Sequence, residues 1–251
     1  MAKKFYYDSV NLSDATISAG TYSSGTFTLN NGAVTNEHYI IDQSIGQAVT
    51  SFDVGNMIRI DLGSSYSGSV DFLLHHNNNT SGDTDNLGFF NSSSGTSTGS
   101  RTDLDTTTPF GWSLIGISNS SRYQFIESQE GTFGGLTEVI IGSALTFENE
   151  PDIGIATQEI FATDLNTSLG GVEYANKRHE PKTTWQLNFS NISQTFKNNL
   201  VSFEQDVTNF KKFVYYDDSN YHYVRLDSPI KFTEVAFERF SASLKLREQL
   251  S

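Results

Sequence analysis

The chain contains no cysteine, only four prolines and only two methionines among its 251 residues. The absence of cysteine excludes disulfides, thiolate metal ligands and cysteine nucleophiles. No apolar run approaches the roughly 20 residues that a membrane-spanning helix needs. After Met1–Phe5 the sequence turns polar, without the apolar core of a signal peptide. We therefore expect a soluble chain that is made in a cytosol, is not secreted and has no membrane span.

Apolar residues are also scarce, at 36% of the chain, and aromatic residues supply much of what can be buried. There are 19 phenylalanines and 11 tyrosines, and each buries a large apolar area. The remainder is rich in Ser, Thr, Asn and Gly, which are typical of turns. This composition predicts short strands joined by polar loops.

The net charge of −13 argues against nucleic acid as the main partner, because phosphate binding requires a basic surface. The charge is uneven along the chain. Residues 171–251 hold 11 Lys/Arg and 10 Asp/Glu, whereas residues 1–170 hold 5 and 19. This shift indicates either two modules with different surroundings or two ordinary domains that differ in surface charge.

Period-2 patterns dominate the first 170 residues and predict an all-β sandwich. Glycine ends two of the runs, and none is amphipathic at a period of 3.6. The predicted strands are Met57–Leu62, Ser69–Leu74, Arg122–Ile126 and Leu136–Ile141.

Two polar segments interrupt these patterns. Residues 77–108 are predicted to be a surface excursion in which Leu87, Phe89 and Phe90 could form one short strand. Residues 148–182 contain Pro151, Pro181 and paired glycines, so we interpret this segment as a connector.

The C-terminal residues predict a β-α-β-β-β-β module. Thr184–Phe189 alternates as a strand, and Ser193 can cap a helix that follows. Four further strands are predicted at 212–216, 221–226, 230–237 and 241–247. The apolar face of the helix is predicted to comprise Ile192, Phe196, Leu200, Phe203 and Val207.

The sequence therefore predicts a mainly β protein of two modules. Residues 1–172 form a β-sandwich, and residues 173–251 form a small α+β module with one helix packed on an antiparallel sheet. The boundary is expected near residues 165–182, where charge and periodicity change.

No catalytic arrangement is recognisable, and we predict that the protein is not an enzyme. The five histidines lack metal-ligand spacing, and GxSxG, P-loop and GxGxxG motifs are absent. His75 and His76 are adjacent in a predicted strand, so they point to opposite faces and cannot hold one metal together. A hydrolase with an unrecognised site remains an alternative.

Some polar and aromatic residues could still bind a ligand. Asp83, Asp85, Asp103 and Asp105 flank or lie in the polar excursion, where alternate carboxylates could bind calcium or simply be solvated. The EF-hand pattern is not matched, and no metal or cofactor is predicted. Trp112 lies near this segment and could stack on a sugar, whereas Trp185 falls in a predicted strand and is expected in the core.

Short motifs in residues 40–147 resemble a discoidin-like jelly roll found in tail proteins of long-tailed bacteriophages. They are Ile60–Gly63, Val70–Asn77, Ser121–Tyr123 and Glu138–Gly142. The strand-helix-hairpin order of the C-terminal module and its charged ending, Ser243–Glu248, resemble ring-forming distal or minor tail proteins. Gln124 departs from the pattern, since an aromatic residue is common there.

The resemblance implies a structural virion protein at the tail tip, produced in the host cytoplasm. The C-terminal module would form a homo-oligomeric ring, a hexamer by expectation, joining the tail tube to hub or fibre proteins. Exposed strand edges are consistent with such assembly. The alternative is a carbohydrate- or receptor-binding module that uses the jelly-roll loops to contact a host glycan. The predicted oligomer interface comprises Tyr215, Tyr223, Arg225, Lys245 and Arg247.

Overall fold

The computed structural model describes residues 3–10, 12–64, 70–76, 86–105, 111–119, 121–129, 135–152, 155–161, 163–168, 173–177, 180–208 and 210–249. These residues form a mainly β structure with one α-helix and two short 3-10 segments, Leu12–Asp14 and Glu37–Ile41. The predicted fold class is confirmed. In the described part of the chain, no helix is long and apolar enough to cross a membrane.

The chain divides into two compact units. Tyr6–Ala144 form the sandwich unit, and Met1–Phe5 together with Leu145–Leu250 form the sheet unit. The chain therefore begins in the sheet unit, with β1 (Lys4–Tyr6), before it enters the sandwich unit. The division falls after Ala144, whereas the sequence predicts a boundary after residue 172.

Two antiparallel sheets make up the sandwich unit. The larger sheet has the order β3-β2-β4-β9-β6-β7 and the smaller has the order β10-β5-β8. The strands are β2 (Thr16–Ser23), β3 (Thr26–Leu29), β4 (Asn56–Asp61), β5 (Val70–His76), β6 (Asn86–Ser92), β7 (Thr102–Asp105), β8 (Gly111–Asn119), β9 (Tyr123–Ser128) and β10 (Leu136–Gly142).

One apolar core lies between these sheets because alternate residues of each strand face inwards. Ile58 and Ile60 enter it from the larger sheet, and Phe72 and Leu74 from the smaller. The ring of Phe72 meets that of Phe89 edge-on, with 5.2 Å between centroids. The four strands predicted in this region are β4, β5, β9 and β10, and all four are confirmed.

The strand predicted at Leu87, Phe89 and Phe90 is confirmed as β6, but the prediction that the surrounding residues 77–108 form a surface excursion is wrong where the structure describes them. Two strands, β6 and β7, lie in this segment, and β6 pairs with both β7 and β9 inside the larger sheet. Leu87 and Phe89 point into the main core, whereas Phe90 joins a second cluster on the other face of the sheet. β6 is therefore buried on both faces and paired along both edges.

The sheet unit is built on an eight-stranded sheet. Its order is β11-β1-β16-β17-β19-β15-β12, with β18 paired to β19, and β13 and β14 form a separate hairpin. The strands are β11 (Leu145–Thr146), β12 (Ala156–Ile160), β13 (Thr163–Thr167), β14 (Glu173–Lys177), β15 (Lys182–Ser193), β16 (Phe213–Tyr216), β17 (Tyr221–Leu226), β18 (Lys231–Ala236) and β19 (Arg239–Glu248).

The interpretation of residues 148–182 as a connector needs correction. β12 pairs with β15 along five residues and so belongs to the large sheet. Its residues, like those of β14, are almost all exposed and show no apolar alternation. The C-terminal module has the predicted strand and helix order, but its sheet gains β1, β11 and β12 from outside the predicted range.

The helix α1 (Gln194–Val207) forms as predicted. Ser193 is its N-cap, and the Ser193 hydroxyl accepts a hydrogen bond of 3.1 Å from the backbone N–H of Phe196. Phe196, Leu200 and Phe203 form the buried stripe that the spacing predicts, with Val207 at its end. Ile192 is buried too, but it lies in β15 rather than in the helix.

Aromatic side chains form the core of the sheet unit. Phe5 is fully buried and stacks on Phe203, with 4.9 Å between ring centroids. It also meets Phe147 and Phe213 edge-on. Phe5 is paired in register with Leu145, the first residue of the chain's return to this unit. The N-terminal strand is therefore part of this core.

Candidate functional site

Three side chains that could contact a ligand form a row across the smaller sheet of the sandwich unit. Glu138 on β10 pairs in register with His75 on β5, and His75 pairs in register with Trp112 on β8. Residues directly opposite each other in antiparallel strands project to the same face, with Cβ atoms about 4.5–5.5 Å apart. We call this set the Trp112 row.

Trp112 is half-buried, and its indole ring meets the His75 ring edge-on with 5.0 Å between centroids. His75 and Glu138 are buried. The edge-on contact orients the indole and leaves part of its apolar surface open to solvent. The row thus combines an accessible aromatic ring with two hydrogen-bonding side chains.

Thr137 sets the orientation and tautomer of His75. The Nδ1 atom of His75 lies 2.6 Å from the Thr137 hydroxyl, and this hydroxyl lies 3.2 Å from the His75 carbonyl oxygen. A hydroxyl has one proton, so when Thr137 donates it to the carbonyl it must accept from Nδ1–H. Nε2 of the neutral ring is then an acceptor.

Burial, and secondarily the neighbouring His76, lowers the pKa of His75 to about 4. His75 is therefore neutral near pH 7 and retains the Nε2 lone pair. A neutral acceptor next to an indole ring suits a ligand that offers hydroxyl donors and an apolar face.

His76 lies on the opposite face of β5, as the alternation of a strand predicts. It is fully buried, burial lowers its pKa, and its Nε2 lies 3.5 Å from the Ser113 hydroxyl. His75 and His76 accordingly have different surroundings and do not share one site.

Of the four predicted calcium ligands, the structure describes the side chain of Asp103 only. Asp83 and Asp85 lie outside the residues that the structure describes, as does the side chain of Asp105. No group of three or more metal-ligating side chains occurs in the described part of the chain.

Asp103 is engaged by its own neighbours on the larger sheet. Its carboxylate pairs with Arg101 at 2.7 Å and accepts a hydrogen bond of 2.8 Å from the Gln129 side chain. Arg101 also lies 3.4 Å from the second carboxylate oxygen, so a cation at Asp103 would have to compete with these contacts.

Two of the predicted interface residues are buried inside the chain. Tyr215 is 1% exposed and Tyr223 is 6% exposed. The Lys212 ammonium lies 5.6 Å from the centre of the Tyr223 ring. These tyrosine side chains are part of the sheet unit's own packing, and they leave little surface for a partner.

Two of the other three predicted interface residues pair with one carboxylate, and the third lies next to them in the sheet. Lys245 and Arg247 pair with Asp227 at 3.2 Å and 2.8 Å, and Arg225 lies directly opposite Arg247 in the sheet. These basic side chains remain partly exposed. An oligomer interface at this surface stays a prediction.

The sequence points to Trp112 but not to its partners. Thr137 and Glu138 lie about 60 residues from His75 in the chain, and only strand register brings them together. The signal that could have identified them is the pair of polar residues within the apolar run Leu136–Ile141. Thr137 and Glu138 are both buried, which a solvated polar pair would not be.

No protein-family model matches the chain, and no curated protein matches it. Among solved structures, the chain is similar to CBM32-1 from a family 31 glycoside hydrolase of Clostridium perfringens, at 15% identity and a TM-score of 0.38, covering 52% of this chain and 94% of that one. It is also similar to a histidine mutant of the lectin binding domain of lectinolysin complexed with Lewis b, at 13% identity and a TM-score of 0.37, covering 51% and 92%.

A third similar structure is a truncated AlyQ with CBM32 and alginate lyase domains, at 14% identity and a TM-score of 0.36, covering 86% of this chain and 54% of that one. At these TM-scores the likeness carries no conclusion about the function of this chain. None of the three is described as a bacteriophage protein, so the resemblance to tail proteins also stays a prediction.

Proposed function

We propose that the sandwich unit is a carbohydrate-binding module and that the Trp112 row contacts the sugar. The observation that carries this proposal is the half-buried Trp112 indole held against neutral His75, whose Nε2 is an acceptor. The C–H face of a pyranose would stack on the indole, and a hydroxyl would donate to Nε2. The role proposed is binding without turnover.

The charge of the chain narrows the class of glycan. Residues 1–170 carry 5 basic and 19 acidic residues, so polyanionic ligands are repelled over this surface. His75 adds no positive charge near pH 7, because its pKa is lowered. A neutral glycan therefore suits the site better than a sulfated or phosphorylated one.

The test is binding of the full chain and of a Trp112→Ala variant to an array of neutral and charged glycans. We expect neutral glycans to bind and the variant to bind them at least about tenfold more weakly, because the stacking surface is removed. Tyr174→Ala removes an exposed aromatic side chain from β14 and is the matched control. Unchanged glycan binding by Trp112→Ala would contradict the proposal.

A second candidate function is the structural role in a virion tail, as a ring or adaptor built from copies of this chain. The observation that favours it is β18, which among the described residues pairs only with β19 and ends beside Phe237, a phenylalanine that is 86% exposed. An open strand edge and an exposed aromatic side chain are suited to pairing with another copy.

This second candidate predicts self-association that depends on Phe237. The mass of the full chain in solution should rise with concentration, and Phe237→Ser should shift it towards the monomer. Phe161→Ser, which removes another exposed phenylalanine, is the control. If the chain stays monomeric at all concentrations, and also in the presence of isolated bacteriophage tails, the structural role would be contradicted.

A further inference from the structure

The sheet unit contains a cavity of about 240 Å³ lined by Lys3, Ile155, Thr157, Trp185, Tyr215 and Asp217. We call it the Trp185 pocket. Its volume is below the roughly 300–1,000 Å³ of pockets that hold drug-sized ligands, so it suits a single small ring. It is distinct from the Trp112 row, and the inference below does not rest on the proposed function.

Aromatic rings form one wall of this pocket. Trp185 lies 4.9 Å from the ring of His222 and 6.4 Å from that of Tyr215, between centroids. These side chains lie on the face of the sheet that also carries the aromatic core, since Tyr215 and His222 are paired in register. Trp185, which the sequence assigns to the core, is therefore both a core residue and a pocket wall.

Polar groups of both charge signs line the same cavity. Asp217 accepts hydrogen bonds from the backbone N–H groups of Ser219 and Asn220, and its other oxygen lies 2.8 Å from Nε2 of His222. Burial acts to raise the pKa of Asp217, but these hydrogen bonds outweigh it, so the pKa of this carboxyl is lowered and it is ionised near pH 7.

Lys3 supplies the positive charge and is likewise paired, with Glu150 at 2.9 Å. An ammonium has three N–H donors, so this ion pair leaves donors for a ligand. Burial, followed by the charges of Asp217 and Glu150, raises the pKa of Tyr215 to about 12. Tyr215 therefore keeps its phenolic proton, and because it is only 1% exposed it acts mainly as a wall of the pocket.

The pairing of both charges decides between classes of ligand. Lys3 is already paired with Glu150, and Asp217 already has three hydrogen-bond partners within the chain, so a charged ligand would have to compete with these contacts. Neutral hydroxyl groups can donate to Asp217 and accept from Lys3 without displacing those partners. Such a ligand can also make apolar contact with the part of the Trp185 indole that lines the cavity, since Trp185 is 9% exposed.

We propose that the Trp185 pocket binds a neutral hydroxylated ring, a single hexopyranose unit. Asp217 accepts from one ring hydroxyl through its remaining acceptor site, Lys3 donates to another, and the ring contacts the part of the Trp185 indole that lines the cavity. The sheet unit then has a sugar site of its own.

The two tryptophans of the chain allow each site to be followed alone, because one lies in each. In full-length Trp112→Phe, Trp185 is the only indole fluorophore. Glucose, galactose, mannose and N-acetylglucosamine are titrated separately while Trp185 emission and its quenching by acrylamide are measured. We expect a saturable change in emission and reduced quenching with at least one hexose.

Thr157 provides the variant that closes the pocket. It is exposed on β12 and directly opposite Trp185 in register, so Thr157→Arg places a long side chain over the cavity with little effect on folding. In the Trp112→Phe background, this change should weaken the hexose response at least about tenfold, whereas Thr157→Ser should preserve it. Far-UV circular dichroism checks that both variants are folded.

Three results would overturn the inference. One is the absence of any hexose effect on Trp185, another is an equal effect in the Thr157→Arg variant, and the third is a response to glycine betaine or lysine but not to hexoses. Glycan binding through Trp112 is read separately, in the full-length Trp185→Phe protein or by the Trp112→Ala comparison. A negative result at one site can therefore be told apart from a negative result at the other.

Discussion

Replacing Phe203 with alanine is expected to lower the free energy of unfolding of the sheet unit by about 3–5 kcal/mol. Phe203 is fully buried, stacks on Phe5, and meets Phe213 edge-on with 5.0 Å between ring centroids. Removing the ring deletes these contacts and leaves a cavity that the two neighbouring rings cannot fill without moving.

The measurement is urea denaturation followed by the fluorescence of Trp185, in the Trp112→Phe background so that only the sheet unit is reported. The matched control is Phe237→Ala, because Phe237 is 86% exposed and its loss should change stability by no more than about 0.5 kcal/mol. A loss of less than about 1 kcal/mol for Phe203→Ala would show that α1 is not packed as described.

Acidification is expected to destabilise the sandwich unit through His75. The pKa of His75 is lowered from 6.5 to about 4 by burial and by His76, so the folded state binds its proton less readily than the unfolded chain does. The stabilisation that neutral His75 gives to the folded state is therefore complete above about pH 6.5 and is lost as the pH falls towards 4. The loss of unfolding free energy due to His75 approaches about 3 kcal/mol at the acidic end of this range.

His75→Asn isolates this contribution, because the amide N–H can replace Nδ1–H as donor to Thr137. Urea unfolding of the two proteins is compared between about pH 7 and pH 4.5, with Trp112 as reporter in the Trp185→Phe background. Glu138 and His76 are the titratable neighbours, and both remain in the variant. A stability difference between the proteins that does not vary with pH would disprove the assignment to His75.

The helix and several of the strands that the sequence predicts have a periodic burial pattern. The stripe from Phe196 to Val207 has helical spacing and a serine cap, so α1 could be placed to within a residue. β4 and β19 alternate because each has a buried and a more accessible face. Local spacing is sufficient where one face of an element meets a core.

The sequence does not predict β1, β12 and β14, because none of them has a periodic apolar pattern. β12 and β14 bury almost nothing, so their residues show no apolar alternation. β1 has only three residues, which is too short for any period to be recognised. β6 was predicted as a strand, but the polar sequence around it favoured a surface position, whereas the structure pairs it with a strand on each side.

The candidate site shows the same limit. Trp112 could be singled out because it stands close to a polar segment, but its contact with His75 depends on the pairing of β5 with β8. The irregularity in the pairing of β10 with β5 at Thr137 brings the Thr137 hydroxyl to Nδ1. Register between strands far apart in the chain is set by the packing of the whole unit, and composition does not encode it.

The pairing of Phe5 with Leu145 means that the sandwich unit is a domain insertion between two adjacent strands of the sheet unit. The sheet cannot close during synthesis until the ribosome has released the C-terminal strands, whereas the inserted unit can fold beforehand. A fragment that starts at residue 171 lacks β1 and with it the ring of Phe5. The sheet unit without its insertion is better made by linking Phe5 to Leu145 through a short turn, since these two residues already lie side by side.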